Sequence, residues 1–408
     1  MRKAIVWLHR WVGLAVLLFI AVAAITGVIL AFDKELDHTL NKDLFYVEPS
    51  GQHMEMDDLV KRAESVYEGK RVTFVRTPDE AGRAYEFYLR TPNAKGDEGA
   101  NFFKANNKYH TVYINPYNGI VLGARVNGEF GVDARHLIPM LVKLHYTWYL
   151  GDFGKWLIGI AALLWLLDHF GAVYLSFPNL KSWKKSFAFR WNAGGHKLNF
   201  DMHRSGSMWI LPVLIALALS SVYLNLNEQF KWVVNKFSPL TTVECSCHVD
   251  PNAKWLADTA SWDGAIKLAQ QTKPDMVVGG MTFLPDTRKF IVSMKSSEDL
   301  TAEVGMTKVY VNAITGELMH VHDRSAETAG DTFNAWQLPL HSGRVFGIIG
   351  QIIILLSGIV ITIICVTGFL IYLKKAKARD SKDAQASPVI GQRKREEIVF
   401  NKTRDVNP

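Results

Sequence analysis

The chain has 408 residues, 49% of them hydrophobic and 12% aromatic, with 46 basic against 39 acidic side chains and only three cysteines. Its apolar residues gather into four unbroken blocks too long for a soluble core, which excludes a cytosolic soluble enzyme. The basic excess flanks those blocks rather than lining a groove, which excludes nucleic acid as a partner; three cysteines are too few for a disulfide scaffold or a Cys-ligated iron–sulfur centre.

In chain order, residues 1–32 form the first predicted span, apolar from Ile5 to Phe32 and longer than the ~20 residues that cross ~30 Å of hydrocarbon. It runs into Asp33-Lys34-Glu35-Leu36 with no small-residue cleavage pattern, so a retained anchor is expected rather than a signal peptide. Residues 33–152 have mixed charge, helical spacing from Met56 to Tyr67, and period-two strands at Tyr85-Glu86-Phe87-Tyr88-Leu89 and Thr111-Val112-Tyr113-Ile114. The latter leads through Asn115-Pro116-Tyr117-Asn118-Gly119 into Ile120-Val121-Leu122-Gly123, a hairpin. The second span covers 153–177. The loop 178–207 carries Lys181, Lys184, Lys185, Arg190, Lys197 and Arg204 against Asp201 alone. The third span covers 208–224, a second outer segment 225–344 has helical spacing from Ala260 to Gln270, and the fourth span covers 345–373. A polar tail, 374–408, opens with Lys374, Lys375, Lys377 and Arg379 and is expected to be unordered. The positive-inside bias puts both termini and the basic loop in the cytoplasm and the two mixed-charge segments outside. The expected fold is a membrane protein, a four-helix transmembrane bundle carrying two small α+β outer domains.

The chain also repeats itself. Val112-Tyr113-Ile114-Asn115 with Asn118-Gly119 returns as Val309-Tyr310-Val311-Asn312 with Thr315-Gly316, 309 − 112 = 197 residues on. Leu8-His9-Arg10 returns as Met202-His203-Arg204, 203 − 9 = 194 residues on, and Leu144-His145 as Leu340-His341, 341 − 145 = 196 residues on. Landmarks at nearly one interval indicate two tandem copies of span, outer domain, span. Because successive spans alternate in direction, His9 and His203 fall at the cytoplasmic end and His145 and His341 at the outer end. A histidine at membrane depth is costly unless partnered, and a neutral imidazole is a good ligand for iron. Two from different helices at one depth suit the two faces of one haem, so two layers suit two haems and an electron path across the bilayer. The competing readings are interfacial or capping histidines, and a divalent metal, although no Cys or carboxylate at the same depth would close a zinc site.

Further positions carry weaker signals. His169, beside Asp168 in the second span, has no counterpart in the fourth; it reads as a substitute ligand in the cytoplasmic layer, a partner of a haem propionate, or a structural residue held by Asp168. Arg10 and Arg204, each next to a ligand candidate, suit haem propionates or ordinary positive-inside charge. Gly13, Gly27, Gly358 and Gly368 make room for close helix approach or for a porphyrin. Cys245-Ser246-Cys247-His248 is one residue short of a covalent haem-attachment sequence, leaving a strained disulfide, a soft-metal site or a structural role. His320 and His322 share a strand face.

Leu8-His9-Arg10-Trp11-Val12-Gly13 with Thr26-Gly27, Leu198-Asn199-Phe200-Asp201-Met202-His203-Arg204, Pro339-Leu340-His341-Ser342-Gly343-Arg344 and the turns at Asn118-Gly119 and Thr315-Gly316 together resemble the PepSY-associated transmembrane (PepSY-TM) proteins. The resemblance extends over nearly the whole chain up to the polar tail. It implies a siderophore-iron reductase-like protein of the bacterial inner membrane, with two b-type haems and two periplasmic PepSY-like domains. Asp168-His169-Phe170-Gly171 departs from the Thr26-Gly27 pattern, and the Cys245/Cys247 pair stands outside it.

The leading expectation is therefore a haem-dependent oxidoreductase of iron uptake. Electrons enter at the cytoplasmic haem, reach the outer haem, and reduce a periplasmic ferric siderophore or other ferric chelate, all in contact with membrane lipid. Hard oxygen ligands hold ferric iron better than ferrous iron, so one-electron reduction loosens the chelate. No nucleophile or acid–base side chain is required. With no G-x-G-x-x-G fingerprint, the electron donor is a cytoplasmic protein or a membrane quinol. The rivals are a membrane-anchored PepSY binding or regulatory module without redox activity and a transporter, against which four unbroken spans argue.

Overall fold

The computed structural model describes residues 1–404 apart from 79, 92–108, 178, 242–260, 286, 298, 300–303 and 324–326, with residues 180, 380 and 382–404 described by backbone alone. Cys245, Cys247 and His248 lie outside the described residues.

Helix α1 (Arg2–Leu30) carries no charge after Arg10, and α2 (Asp33–Leu40) and α3 (Lys42–Phe45) lead from it into α4 (Met56–Ser65), β1 (Arg71–Arg76), β2 (Tyr85–Arg90), β3 (His110–Ile114) and β4 (Val121–Val126). The chain returns through α5 (Leu137–Thr147) and α6 (Gly151–Ser176), then a short 3-10 helix (Leu180–Ser186). The second copy follows as α7 (Gly195–Trp209), α8 (Leu211–Asn225), α9 (Asn227–Phe237), α10 (Trp262–Thr272), β5 (Val277–Leu284), β6 (Lys289–Lys295), β7 (Thr307–Asn312), β8 (Leu318–His322), α11 (Ala329–Ser342) and α12 (Gly347–Arg404).

Helices α1, α6 and the stretch Arg344–Arg379 are each long and apolar enough to cross a membrane. The third predicted span differs from expectation: it is the pair α7 and α8, bent by 73°, and makes a fourth crossing only if the two are taken together. Pro212, in the first turn of α8, has no N–H with which to continue the ladder of α7, so the helix breaks at Ile210. Helix α1 lies between α6 and α12, α6 also packs on α8, and α7 lies against α12. The crossing of α1 and α12 is close at Gly358, where a Cβ would stand 2.7 Å from Val28 Cγ2. Beyond Arg379 the tail differs too, continuing as helix to Arg404. Its Lys, Ala, Gln and Glu residues favour helix, and extending a formed helix is far easier than nucleating one.

The two outer segments, expected as separate domains, instead share one antiparallel eight-stranded sheet of order β4-β3-β2-β1-β5-β6-β7-β8. Corresponding strands of the two copies, β1 and β5, pair at its centre, with Phe74 opposite Thr282, Val75 opposite Met281 and Arg76 opposite Gly280. Each copy alone would leave a bare edge, and joining like edges about a pseudo-twofold satisfies both. Helices α4 and α10 cover one face over a single core that includes Leu59, Val75, Phe87, Trp262, Met281 and Phe290. Their first turns cap one another: Asp263 accepts from the Met56 and Asp57 amides at 2.7 and 2.9 Å, and Asp57 accepts from the Trp262 amide at 2.9 Å. The predicted hairpin is β3–β4, and its turn is built twice: Gly119 (φ 69°) donates its N–H to Asn115 O and Gly316 (φ 72°) to Asn312 O, each at 2.9 Å.

Candidate functional site

The histidines predicted to pair by the repeat do meet. At one end of the helices, called here the loop side, the rings of His9 on α1 and His203 on α7 have centroids 6.2 Å apart and planes inclined at 57°. At the end that carries the sheet, His145 and His341 have centroids 6.1 Å apart and planes inclined at 70°. These two sit at the ends of the short helices α5 and α11, not in the spans themselves. Left-handed residues stop both helices, Trp148 (φ 51°) and Gly343 (φ 75°), and turn the chain into α6 and α12. The two pairs lie near opposite ends of α1: His9 belongs to one, and Thr26, which touches the other, is 26 − 9 = 17 residues further on. At ~1.5 Å per residue the separation is roughly 25 Å.

Hydrogen bonding fixes which ring nitrogen is available. His145 Nδ1 lies 2.9 Å from Thr26 Oγ1, and that hydroxyl commits its only proton to Val22 O at 2.8 Å. Thr26 must then accept, so His145 Nδ1 carries the hydrogen. The second copy repeats the device: Ser220 Oγ donates to Ala216 O at 2.7 Å and accepts from His341 Nδ1 at 2.9 Å. His203 Nδ1 donates to Ile364 O at 2.9 Å, and His9 Nδ1 donates to Asp168 Oδ2 at 2.7 Å. All four imidazoles therefore hold hydrogen on Nδ1, which in a neutral ring leaves the Nε2 lone pair for a ligand. Metal-binding histidines are held in this way by a second partner. Bonds of about 2.0 Å from two imidazoles to one shared metal place the ring centres roughly 6 Å apart, which is the spacing of both pairs.

Close helix approach makes this packing possible. A Cβ on Gly27 would stand 3.4 Å from His145 Cε1, and one on Gly368 would stand 2.9 Å from His203 Cε1. The chain belongs to the PepSY-associated TM region family. It matches that family over residues 6–375, a stretch that holds both histidine pairs and all eight strands. No curated protein matches it in sequence.

Room and unused donors accompany the pairs in this PepSY-associated chain. One turn from His9 and from His203, a Cβ at Gly13 or at Gly206 would meet nothing within 4 Å. Among the described residues, buried Nε atoms of Arg10 and Arg204 and the indole nitrogen of Trp148 have no hydrogen-bond partner. Arg204 is otherwise placed by Lys185 O and by Asp201, 3.6 Å away, while Asp201 is held by Arg190 through two contacts of 2.7 Å. The two arginines singled out from sequence, each next in the chain to a loop-side histidine, thus keep a buried donor to spare, which suits a group bearing carboxylates. At the loop side these features suit a flat, anionic group; at the sheet side the Trp148 N–H is the spare donor. Among the described residues, no three His, Cys, Asp or Glu side chains converge as a closed metal site would require.

His169 lies within electrostatic reach of His9 but has its own partner. Its Nδ1 donates to Trp165 O at 2.6 Å and its ring lies 5.0 Å from the Trp165 ring. Asp168, its holder in one of the three readings, accepts from His9. His320 packs on Tyr310, and His322 Nε2 lies 3.4 Å from Glu327. Sequence reasoning missed Thr26 and Ser220 as partners of the imidazoles, although 220 − 26 = 194 is the interval of the histidines themselves.

Proposed function

We propose that this chain is a di-haem electron-transfer protein of the bacterial inner membrane that reduces a ferric siderophore or similar ferric chelate on the periplasmic side, where the sheet stands. His145 and His341 would hold one b-type haem and His9 and His203 the other. Bound there, the two groups supply one-electron redox chemistry at both faces of the hydrocarbon. The single observation that carries the reading is the pairing: the rings of His9 and His203 and of His145 and His341 have centroids 6.2 and 6.1 Å apart, each with an oxygen partner at Nδ1.

The chain's own residues do the rest. Thr26, Ser220, Ile364 O and Asp168 orient the rings before any ligand arrives, so little ordering is needed on binding. Arg10 and Arg204 offer guanidinium N–H groups to carboxylates. The apolar helices exclude water, and the donor is a cytoplasmic protein or a membrane quinol. Hydroxamate-type oxygen ligands lose their grip once ferric iron gains an electron. Stopped-flow mixing of dithionite-reduced protein with a ferric hydroxamate tests the reading. Rapid reoxidation with appearance of ferrous iron is expected; protein that stays reduced with every ferric chelate tried would remove iron release as the function.

A further inference from the structure

We infer that Asp168 lowers the reduction potential at the loop-side pair below that at the sheet-side pair, and so orders the two redox levels for outward electron flow. The inference rests on the haem reading above. The four imidazoles share a tautomer but not a partner. His145, His341 and His203 donate to the uncharged oxygens of Thr26, Ser220 and Ile364, whereas His9 donates to a carboxylate at 2.7 Å.

The repeat sharpens the contrast. Residue 364 lies 364 − 168 = 196 residues after Asp168, the interval that separates His145 from His341. The two copies therefore present the loop-side histidines to equivalent positions on α6 and α12, one through a side-chain carboxylate and the other through a backbone carbonyl. The Asp168 side chain is only 10% exposed, inside a helix apolar enough to span a membrane. A charge placed there is expensive, and a helix backbone carbonyl would have oriented His9 without it. What the carboxylate adds is negative charge on the hydrogen bond. It makes the imidazole a stronger donor to a metal, which favours the ferric state and lowers the potential. The positive charges nearby, Arg10 and Arg204, are matched by the carboxylates that a b-type haem carries and by Asp201. One electron taken from a cytoplasmic or quinol donor then runs downhill from loop side to sheet side and on to the ferric chelate, with no bond made or broken within the protein.

Potentiometric titration of the full-length, haem-loaded protein, followed optically, tests this. Two resolved waves are expected, with the lower one absent in His203→Ala and the higher one absent in His145→Ala. Asp168→Asn, which keeps an oxygen acceptor and removes the charge, should move the lower wave upward and leave the higher one in place. Loss of the higher wave in His203→Ala, or no movement in a loaded Asp168→Asn protein, overturns the inference while leaving the haem reading intact. Should Asp168→Asn not load at the loop side, Asp168→Glu, which keeps the charge, is compared with Asp168→Ser, which keeps an oxygen and removes it: a lower wave held down in the former and raised in the latter supports the inference, and equal waves in the two overturn it. Wild-type protein that takes up no haem fails the proposed function itself.

Discussion

Thr26→Val isolates the device that fixes the sheet-side imidazole. Valine keeps the size and β-branching of threonine, and the helix ladder at Val22 O is unaffected because the backbone bond persists without the hydroxyl. What is lost is the hydroxyl acceptor for His145 Nδ1–H, 2.9 Å away, with the Ala23 carbonyl as the remaining oxygen in reach. Losing one such hydrogen bond costs about 0.5–1.5 kcal/mol, which meets the lower end of the roughly 10–100-fold loss of metal affinity on removing such partners. Thr26→Val should weaken haem at the sheet-side pair by about tenfold and leave the loop-side pair loaded. Thr26→Ser, which retains the hydroxyl, should bind as wild type. The measurement is titration of cofactor-free protein with hemin, followed in the Soret region against the two variants. Equal affinity in Thr26→Val and wild type would refute the argument that the hydroxyl sets the tautomer.

Other outcomes follow from the same geometry. Gly368→Ala would bring a methyl to 2.9 Å from His203 Cε1; it should displace that ring and abolish loop-side loading alone, and retention of both haems would contradict the packing described. Asp263→Ala removes the acceptor for two α4 amides and should lower thermal stability of the sheet by about 1–2 kcal/mol; an unchanged melt would show that the joined caps contribute nothing. Lys308 donates to Ser293 Oγ and Gly305 O, each at 2.8 Å, and burial pulls its pKa down to about 8, with Asp299 partly opposing. Between about pH 8 and the ordinary lysine range the unfolded chain binds the extra proton, so stability should rise with pH across that window. Denaturant unfolding of wild type and Lys308→Met over that range should show stability climbing more with pH in the former, and parallel profiles would refute it.

Much of the candidate site was legible because the repeat doubles every landmark. A single histidine near a helix end carries little information, but His9 with His203 and His145 with His341 recur at one interval, and the structure brings each pair together. The partners that orient them were less legible. A hydroxyl one span away has no sequence proximity to the ring it serves, and Asp168 is adjacent in sequence to His169 yet bonded to His9, 159 residues distant. The strands and the Asn115 and Asn312 turns follow from local alternation and turn chemistry, whereas the junction of β1 with β5 does not. Any exposed edge pairs with any other of matching register, and nothing local says that the two copies complete one another. The bend at Ile210 had a visible cause in Pro212, but an apolar run of spanning length masked it.

The most direct measurement is the absorption spectrum of purified protein with its haem content by pyridine haemochromogen. The account predicts two b-type haems per chain, low-spin and reducible, with one lost in His145→Ala and the other in His203→Ala. A folded, colourless protein that takes up no hemin, or one whose haem content is indifferent to all four histidines, would contradict it.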